Sequence, residues 1–284
     1  MTIKMILAPL TGGKRDALTL ACAFSAAIPM QAHVRGLFAR PDPMEALPFF
    51  GDEVAPAMAS EIVDSAREAA GSAAASARTA LEAAAAAAGF ELQEVPAPGP
   101  SASYLEAQGH FDDCVAHAGL LADLIVFGPL GETDHPGLTE AFEAALLKTG
   151  SPVLLGSRTQ QREFRKIAIG WNGSATSAHA VSASLPFLSR AHSIHVITIQ
   201  SASSDADMDA LLDYLRVHAV SAVVSRADAS TRVVGDVLLE TATSNGADLL
   251  VIGGYGHGRL REWLTGGVTR RVLSRATLPL FLMH

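Results

Sequence analysis

One stretch of the sequence occurs twice, and this repetition restricts the possible folds more than any other feature. Residues 122–131 read ADLIVFGPLG and residues 247–256 read ADLLVIGGYG, an offset of 125 residues. The segments TGSPVLL at 149–155 and ATLPLFL at 276–282 repeat at nearly the same offset, 127 residues. A period of this length is that of a whole domain and not of one solenoid unit. The sequence therefore predicts a tandem duplication.

The two predicted copies, residues 1–157 and 164–284, alternate short apolar runs with longer stretches of helical periodicity. Runs that are apolar on both faces are typical of parallel strands buried on both sides. Strand–helix alternation predicts an α/β fold of two open, Rossmann-like, five-stranded parallel sheets. The expected strands are Ile3–Ala8, His33–Phe38, Phe90–Val95, Leu124–Phe127 and Val153–Leu155, then Ile167–Trp171, Ile194–Ile199, Ala222–Val224, Leu249–Ile252 and Leu280–Leu282.

Charge is distributed unequally between the two copies. The chain has a net charge of −8. Residues 1–150 contain 8 Lys and Arg against 19 Asp and Glu, whereas residues 151–284 contain 13 against 10, so the net charges are −11 and +3. The acidic total argues against nucleic-acid binding. No apolar run is long enough for a membrane span, and Cys22 and Cys114 are too few for a disulfide framework, so the expected location is the cytoplasm.

A glycine-rich loop follows the fourth strand of the second copy. Gly253, Gly254, Gly256 and Gly258 let the chain turn tightly, and Gly266-Gly267 opens a helix whose free N–H groups favour an anion. Several arginines lie close by in the sequence: Arg259, Arg261, Arg270, Arg271 and Arg275. The pattern predicts a phosphate-bearing ligand. It also allows a simpler interpretation, in which the loop only turns the chain and the arginines are solvated.

The spacing Gly253-x2-Gly256-x9-Gly266 after a late strand resembles the nucleotide-binding motif of the universal stress protein family. Asn172-Gly173-Ser174 and the closing Pro279–Leu282 strand fit the same pattern, so the resemblance covers essentially the whole chain as two copies. It implies an adenine nucleotide α-hydrolase-like fold. It also implies that the second copy binds ATP or a related adenine nucleotide such as AMP, with Mg²⁺.

The resemblance also assigns residues to this nucleotide site. The end of the first strand, around Asn172, would contact the adenine and ribose, and Ile199 would pack on the base. Glycines would cradle the ribose and the phosphates through their backbone. The family carries an acidic residue where this chain has Asn172, and Ser or Thr where it has Gly267. The full set of expected site residues is Gly170, Trp171, Asn172, Ile199, Ile252, Gly253, Gly256, Gly266, Gly267, Val268 and Thr269.

The first copy departs from the motif. Gly128 and Gly131 are present, but Ala141 stands at the position of the third glycine. Four carboxylates lie where phosphate would bind, and like charges repel: Glu132, Asp134, Glu140 and Glu143. We therefore expect a degenerate first copy, and we expect any phosphate to bind after residue 250.

The resemblance predicts a regulatory stress-response protein in which nucleotide occupancy orders residues 253–268. Two alternatives stay open: an interaction or scaffold module of the same fold that binds no nucleotide, and a slow nucleotide hydrolase. No nucleophile elbow, metalloprotease motif or carboxylate pair is present, so no catalytic residue is assigned. The group His110, Asp112, Asp113, Cys114 and His117 is interpreted as a helix face and not as a metal site.

The fifth strands, Val153–Leu155 and Leu280–Leu282, are expected to pair with each other. In single-domain relatives these strands pair between subunits, so the two copies would form an intramolecular pseudo-dimer, and a homodimer is open. Such pairing would cover two sheet edges. The Pro-rich segment 39–58 has no counterpart in the second copy and is expected to be a surface loop, a lid or a contact segment.

Overall fold

The structure is a computed structural model, and it describes residues 2–47, 56–130, 137–159, 163–199, 205–254 and 267–284. Within these ranges eleven strands form one sheet in the order β3-β4-β2-β1-β5-β6-β11-β10-β7-β8-β9. The strands are β1 Met5–Leu10, β2 His33–Arg40, β3 Glu91–Leu92, β4 Ser101–Gln108, β5 Leu124–Phe127, β6 Val153–Leu155, β7 Lys166–Gly170, β8 Ser193–Ile199, β9 Val223–Ala227, β10 Leu249–Gly253 and β11 Leu280–Met283.

Helices cover both faces of the sheet. They are α1 Asp16–Met30, α2 Pro56–Ala88, α3 Phe111–Gly119, α4 Leu138–Lys148, α5 Ala175–Leu188, α6 Asp205–Val217, α7 Val234–Ser244 and α8 Gly267–Arg275, with a short 3₁₀ helix at Pro43–Ala46. One apolar core lies under α1, α2, α5 and α6, and a second lies under α3, α4, α7 and α8. Successive residues of a strand enter opposite cores, as Ile6 and Leu7 do. No helix of the described residues has the length and apolar character needed to cross a membrane.

The last strands of the two halves join them into one sheet. Strand β6 pairs antiparallel with β11 in the register Leu280↔Leu155, Phe281↔Leu154 and Leu282↔Val153. The other strand pairs of the described sheet are parallel. The predicted α/β class and the predicted pairing of Val153–Leu155 with Leu280–Leu282 are therefore confirmed.

The third strand of the first half was placed wrongly from the sequence. Of the expected strand Phe90–Val95, the two residues of β3 form a short edge, and the neighbour of β2 is β4. The sequence of β4, SASYLEAQ, has no apolar run. Its two serines are buried, and both contact His33 on β2: Nδ1 lies 2.8 Å from Ser101 Oγ and Nε2 lies 2.7 Å from Ser103 Oγ. Burial, with a smaller effect of Arg35, lowers the pKa of His33 to about 4.

The repeated Ala-Asp dipeptide has a structural role in both halves. Asp123 Oδ2 accepts hydrogen bonds from the backbone N–H groups of Lys4 at 2.8 Å and Met5 at 2.9 Å. Asp248 accepts from the N–H groups of Arg165 at 3.0 Å and Lys166 at 2.9 Å. Asp123 thus fixes the start of β1 beside β5, and Asp248 fixes the start of β7 beside β10. This role explains part of the sequence repeat without any ligand.

Candidate functional site

The carboxyl ends of β7, β8 and β10 lie side by side in the sheet, where ligands of open α/β sheets bind. The exposed loop after β7 turns at Gly173, whose φ is +73°. Asn172 Oδ1 accepts hydrogen bonds from Ser174 N at 3.1 Å and Ser174 Oγ at 2.7 Å. Ser174 Oγ in turn caps α5 by accepting from Ser177 N at 3.2 Å. The expected adenine-contacting residue therefore also holds its own turn and the first turn of α5.

A carboxylate that the motif search did not identify lies beside this loop. A Cβ atom built on Gly173 would be 3.5 Å from Oδ2 of Asp207, an exposed residue near the start of α6. Asp207 is 34 positions from Gly173 along the chain, and no local pattern marks it. It brings an acidic group to the loop after β7, although that loop itself carries Asn172.

The glycines at the ends of β7 and β10 are required by packing. A Cβ atom on Gly253 would lie 2.6 Å from Ser177 N and 2.8 Å from Thr176 Oγ1, so α5 could not approach the strand as closely. A Cβ atom on Gly170 would lie 3.0 Å from Ile252 Cγ2. At both positions the missing side chain is explained by neighbouring protein atoms and not by space for a ligand.

Three apolar site residues from the sequence prediction lie at this edge. Ile199 and Ile252 are buried, at 7% and 5% exposure, in the core under α7 and α8. Trp171 packs against the opposite core, and its backbone N–H donates to Ile197 O at 2.9 Å. The indole Nε1 of Trp171 is buried, and no hydrogen-bond partner for it is found among the residues that the structure describes. The ends of β7, β8 and β10 thus bring part of the predicted set together.

The first turn of helix α8 lies on the side of the second half where β7, β8 and β10 end. Val268 is 40% exposed, whereas Thr269 is buried. Arg271 binds Asp236 of α7 through two hydrogen bonds of 2.8 Å, and Arg275 Nη1 lies 4.0 Å from the same carboxylate. The hydrogen bonds from Arg271 lower the pKa of Asp236. Two of the five arginines expected to attract phosphate are therefore already paired with protein.

The central part of the expected loop lies outside the described residues. This applies to Gly256 and Gly266 and to Arg259 and Arg261. Gly267 is the first residue of α8.

The first half contains the corresponding cleft, with a cavity of about 370 Å³ between the loop after β1 and the end of β5. Here the buried carboxylate of Asp16 accepts hydrogen bonds from Thr11 N at 2.9 Å and Gly12 N at 2.8 Å. Gly128, the counterpart of Gly253, packs on α1 and donates from its N–H to Thr19 Oγ1 at 3.0 Å. An internal carboxylate thus takes the loop amides that could otherwise hold an anion.

The carboxylates of α3 and the histidine just before this helix lie close to polar neighbours. Lys148 lies 4.0 Å from Asp112 and 3.9 Å from Asp113, and His110 Nε2 lies 3.3 Å from Glu45. The described residues contain no group of three or more His, Cys, Asp or Glu placed to hold a metal ion. Burial, with a smaller effect of Glu140, raises the pKa of Glu143 on α4 to about 7.

Comparison with known proteins adds family information to this geometry. Residues 163–284 match the model of the universal stress protein family. A comparison with curated protein sequences returns no match.

Solved structures resemble the chain over its full length. A universal stress protein from Archaeoglobus fulgidus is 15% identical, with a TM-score of 0.69, and the match covers 99% of this chain and 96% of that one. A putative universal stress protein from Pseudomonas aeruginosa is 16% identical, with a TM-score of 0.59 over 99% of this chain and 93% of that one. A universal stress protein solved in complex with cAMP is 23% identical over 42% of this chain and 97% of its own, with a TM-score of 0.33. The two full-length matches show a shared fold, and identities of 15% and 16% do not identify a ligand.

Proposed function

We propose that the C-terminal half, whose residues 163–284 match the model of the universal stress protein family, binds an adenine nucleotide, ATP or AMP with Mg²⁺, at the carboxyl ends of β7 and β10. The observation that carries this proposal is the contrast between the two clefts. In the first half, Asp16 occupies the amides of Thr11 and Gly12. In the second half, the corresponding exposed loop is held by Asn172 Oδ1, which bonds Ser174.

The proposed ligand lies with its adenosine against the β7 end and its phosphates toward α8. Asn172 and Gly173 flank the adenosine, with Ile199 and Ile252 beneath it. Phosphate is held by backbone N–H groups of Gly256, Gly266, Gly267 and Val268, because a helix start attracts anions. Thr269 supplies its backbone N–H in the same turn.

Asp207 provides the acidic contact in this proposal. Its carboxylate beside Gly173 is an acceptor for ribose hydroxyl or adenine amino groups, which are both donors. An Asp207→Asn substitution should weaken nucleotide binding while leaving the fold intact, because the side chain is exposed. Asp209→Asn, on an exposed position of the same helix, is the matched control.

We propose a regulatory output and not catalysis. Nucleotide binding would order residues 253–268 and so change the surface that a partner protein contacts. The units of this model are domains 1–157 and 164–284, paired through β6 and β11 as an intramolecular pseudo-dimer. The proposed location is the cytoplasm, in keeping with the unbonded thiols of Cys22 and Cys114.

The experiment tests whether the purified protein retains a nucleotide and whether it binds added nucleotide. Protein purified without added nucleotide is denatured, and the released small molecules are identified by mass spectrometry. The chain has two tryptophans, so Trp263→Phe leaves Trp171 as a fluorescent reporter at the end of β7. We expect titration with MgATP or AMP to change Trp171 emission and to raise the unfolding temperature. No released nucleotide and no response to millimolar MgATP would contradict the proposal.

A second function, an interaction module without nucleotide, is favoured by the pairing of Arg271 and Arg275 with Asp236. That pairing leaves less positive charge for phosphate. The absence of any nucleotide response would favour this function. Slow release of phosphate from ATP that is abolished by Gly266→Val would instead favour the hydrolase, because a branched side chain at a backbone phosphate site blocks the ligand.

A further inference from the structure

A groove lies between the two halves at the amino ends of β1 and β7, the edge opposite to the proposed nucleotide site. The carboxyl ends of α1 and α5 form its sides. It contains two neighbouring cavities of about 300 Å³ and about 330 Å³, and both are lined by Met30 and Arg190. Met30 lies three residues before β2 and Arg190 lies three residues before β8, so the two halves contribute corresponding positions with different chemistry.

The floor of the cavity of about 300 Å³ is aromatic. Phe164 and Phe187 are buried and meet edge to face with ring centroids 5.6 Å apart. Phe187 continues to Phe281 of β11 at 5.7 Å, so this floor is anchored in the core. At the rim, Ile28 is 53% exposed. A large aliphatic side chain left in contact with water beside an aromatic floor favours an apolar ligand body.

The polar part of the groove is predominantly basic. Arg190 Nη1 donates to Pro186 O at 2.8 Å, which fixes the guanidinium at the end of α5. Within the described part of the chain no carboxylate pairs with Arg190, whereas Arg165 at the same cavity is paired with Glu163 at 2.9 Å. Guanidinium carries five N–H donors and binds carboxylates bidentately. Arg190 is therefore a fixed cation at the junction of the two cavities.

We propose that this groove binds a small amphipathic carboxylate, with its apolar body on Phe164 and Phe187 and its carboxylate on Arg190. The volume of this aromatic-floored cavity, about 300 Å³, lies at the lower end of the range for small-molecule sites. The site is independent of the nucleotide cleft. A ligand bound in this groove would contact both halves of the chain.

The test uses the full-length protein, free of nucleotide, and sodium octanoate as the probe. Calorimetry should show one site per chain, and amide resonances of Phe164, Phe187 and Arg190 should shift during the titration. Butyrate, which lacks most of the apolar body, and octanol, which lacks the carboxylate, should each bind at least about tenfold more weakly.

Two variants and one control decide the role of the groove. Arg190→Gln should weaken octanoate binding about tenfold or more, because a charge-assisted hydrogen bond is lost. Ile28→Glu, at an exposed position, should weaken it through charge repulsion without loss of fold. Arg67→Gln, on the exposed face of α2, should leave binding unchanged. Octanoate that does not bind, that binds Arg190→Gln as well as the native protein, or that binds no better than octanol would overturn the proposal.

Discussion

The loops after β1 and β7 share a backbone turn and differ in what surrounds it. Gly12 and Gly173 both have positive φ, +76° and +73°. The first loop is bonded to the buried carboxylate of Asp16 and lies under α2, where a Cβ on Gly12 would be 2.4 Å from Ala73 O. The second loop is exposed and faces the carboxylate of Asp207. Duplication has therefore preserved the turn, while the surroundings make one loop an internal contact and leave the other accessible.

The largest expected effect is a difference in stability between alanine substitutions at Gly12 and at Gly173. Gly12→Ala should lower the free energy of unfolding by about 3–5 kcal/mol, because a positive φ and a clash with α2 add together. Gly173→Ala should cost only about 1–2 kcal/mol, since its Cβ would lie 3.5 Å from Asp207 Oδ2, an ordinary contact. Equilibrium urea unfolding of both variants measures the difference. Equal losses would show that the two loops are packed alike.

His33 makes the first half sensitive to acid. Its pKa is about 4 in the folded protein and about 6.5 in an unfolded chain, so between these values only the unfolded state binds the proton. Stability is therefore complete above about pH 6.5 and falls as the pH drops toward 4, by about 3 kcal/mol in total. Urea unfolding at pH 7, 6 and 5 measures this loss. His33→Gln should show a smaller loss, and an identical pH dependence would contradict the assignment.

The next largest effect on stability is expected at Asp16, because its carboxylate binds the backbone amides of the loop after β1. Asp16→Ser removes a carboxylate bound to Thr11 N, Thr11 Oγ1 and Gly12 N. We expect a loss of about 2 kcal/mol in the free energy of unfolding, measured by urea unfolding beside the exposed control Asp209→Ser. An unchanged stability would mean that the carboxylate does not hold the loop.

These contrasts also mark the limit of prediction from the sequence. The parallel sheet could be predicted because buried apolar runs are local patterns, and the β6–β11 pairing could be predicted from the domain-length repeat together with the family resemblance. Strand β4 could not, because the buried Ser101 and Ser103 both contact His33, about 70 positions away in the sequence. A strand sequence that contains Ser, Tyr and Glu does not predict burial unless the contact with His33 is known.

The candidate site shows the same division. Gly253 indicates that another group approaches the backbone closely, but the sequence does not identify that group. The structure shows that α5 packs there. Asp207 has no motif, since only the folding of α6 over the β7 loop brings it to Gly173. Arginines counted along the sequence suggest a phosphate site, whereas pairing of Arg271 with Asp236 depends on the packing of α8 against α7.

The smallest expected effect concerns this Arg271–Asp236 pair and the charge that distinguishes the second half. Asp236→Asn removes the carboxylate that neutralises Arg271 and, at 4.0 Å, Arg275. If the second cleft binds phosphate, ATP affinity should rise a few-fold, and the gain should shrink at high salt because exposed charges are screened. Calorimetric titration at two salt concentrations measures both. Glu240→Gln is the control, because Glu240 lies on the same helix and pairs instead with Arg232; it should leave ATP affinity unchanged. An equal gain in this control would mean that net charge, and not release of Arg271, raises the affinity.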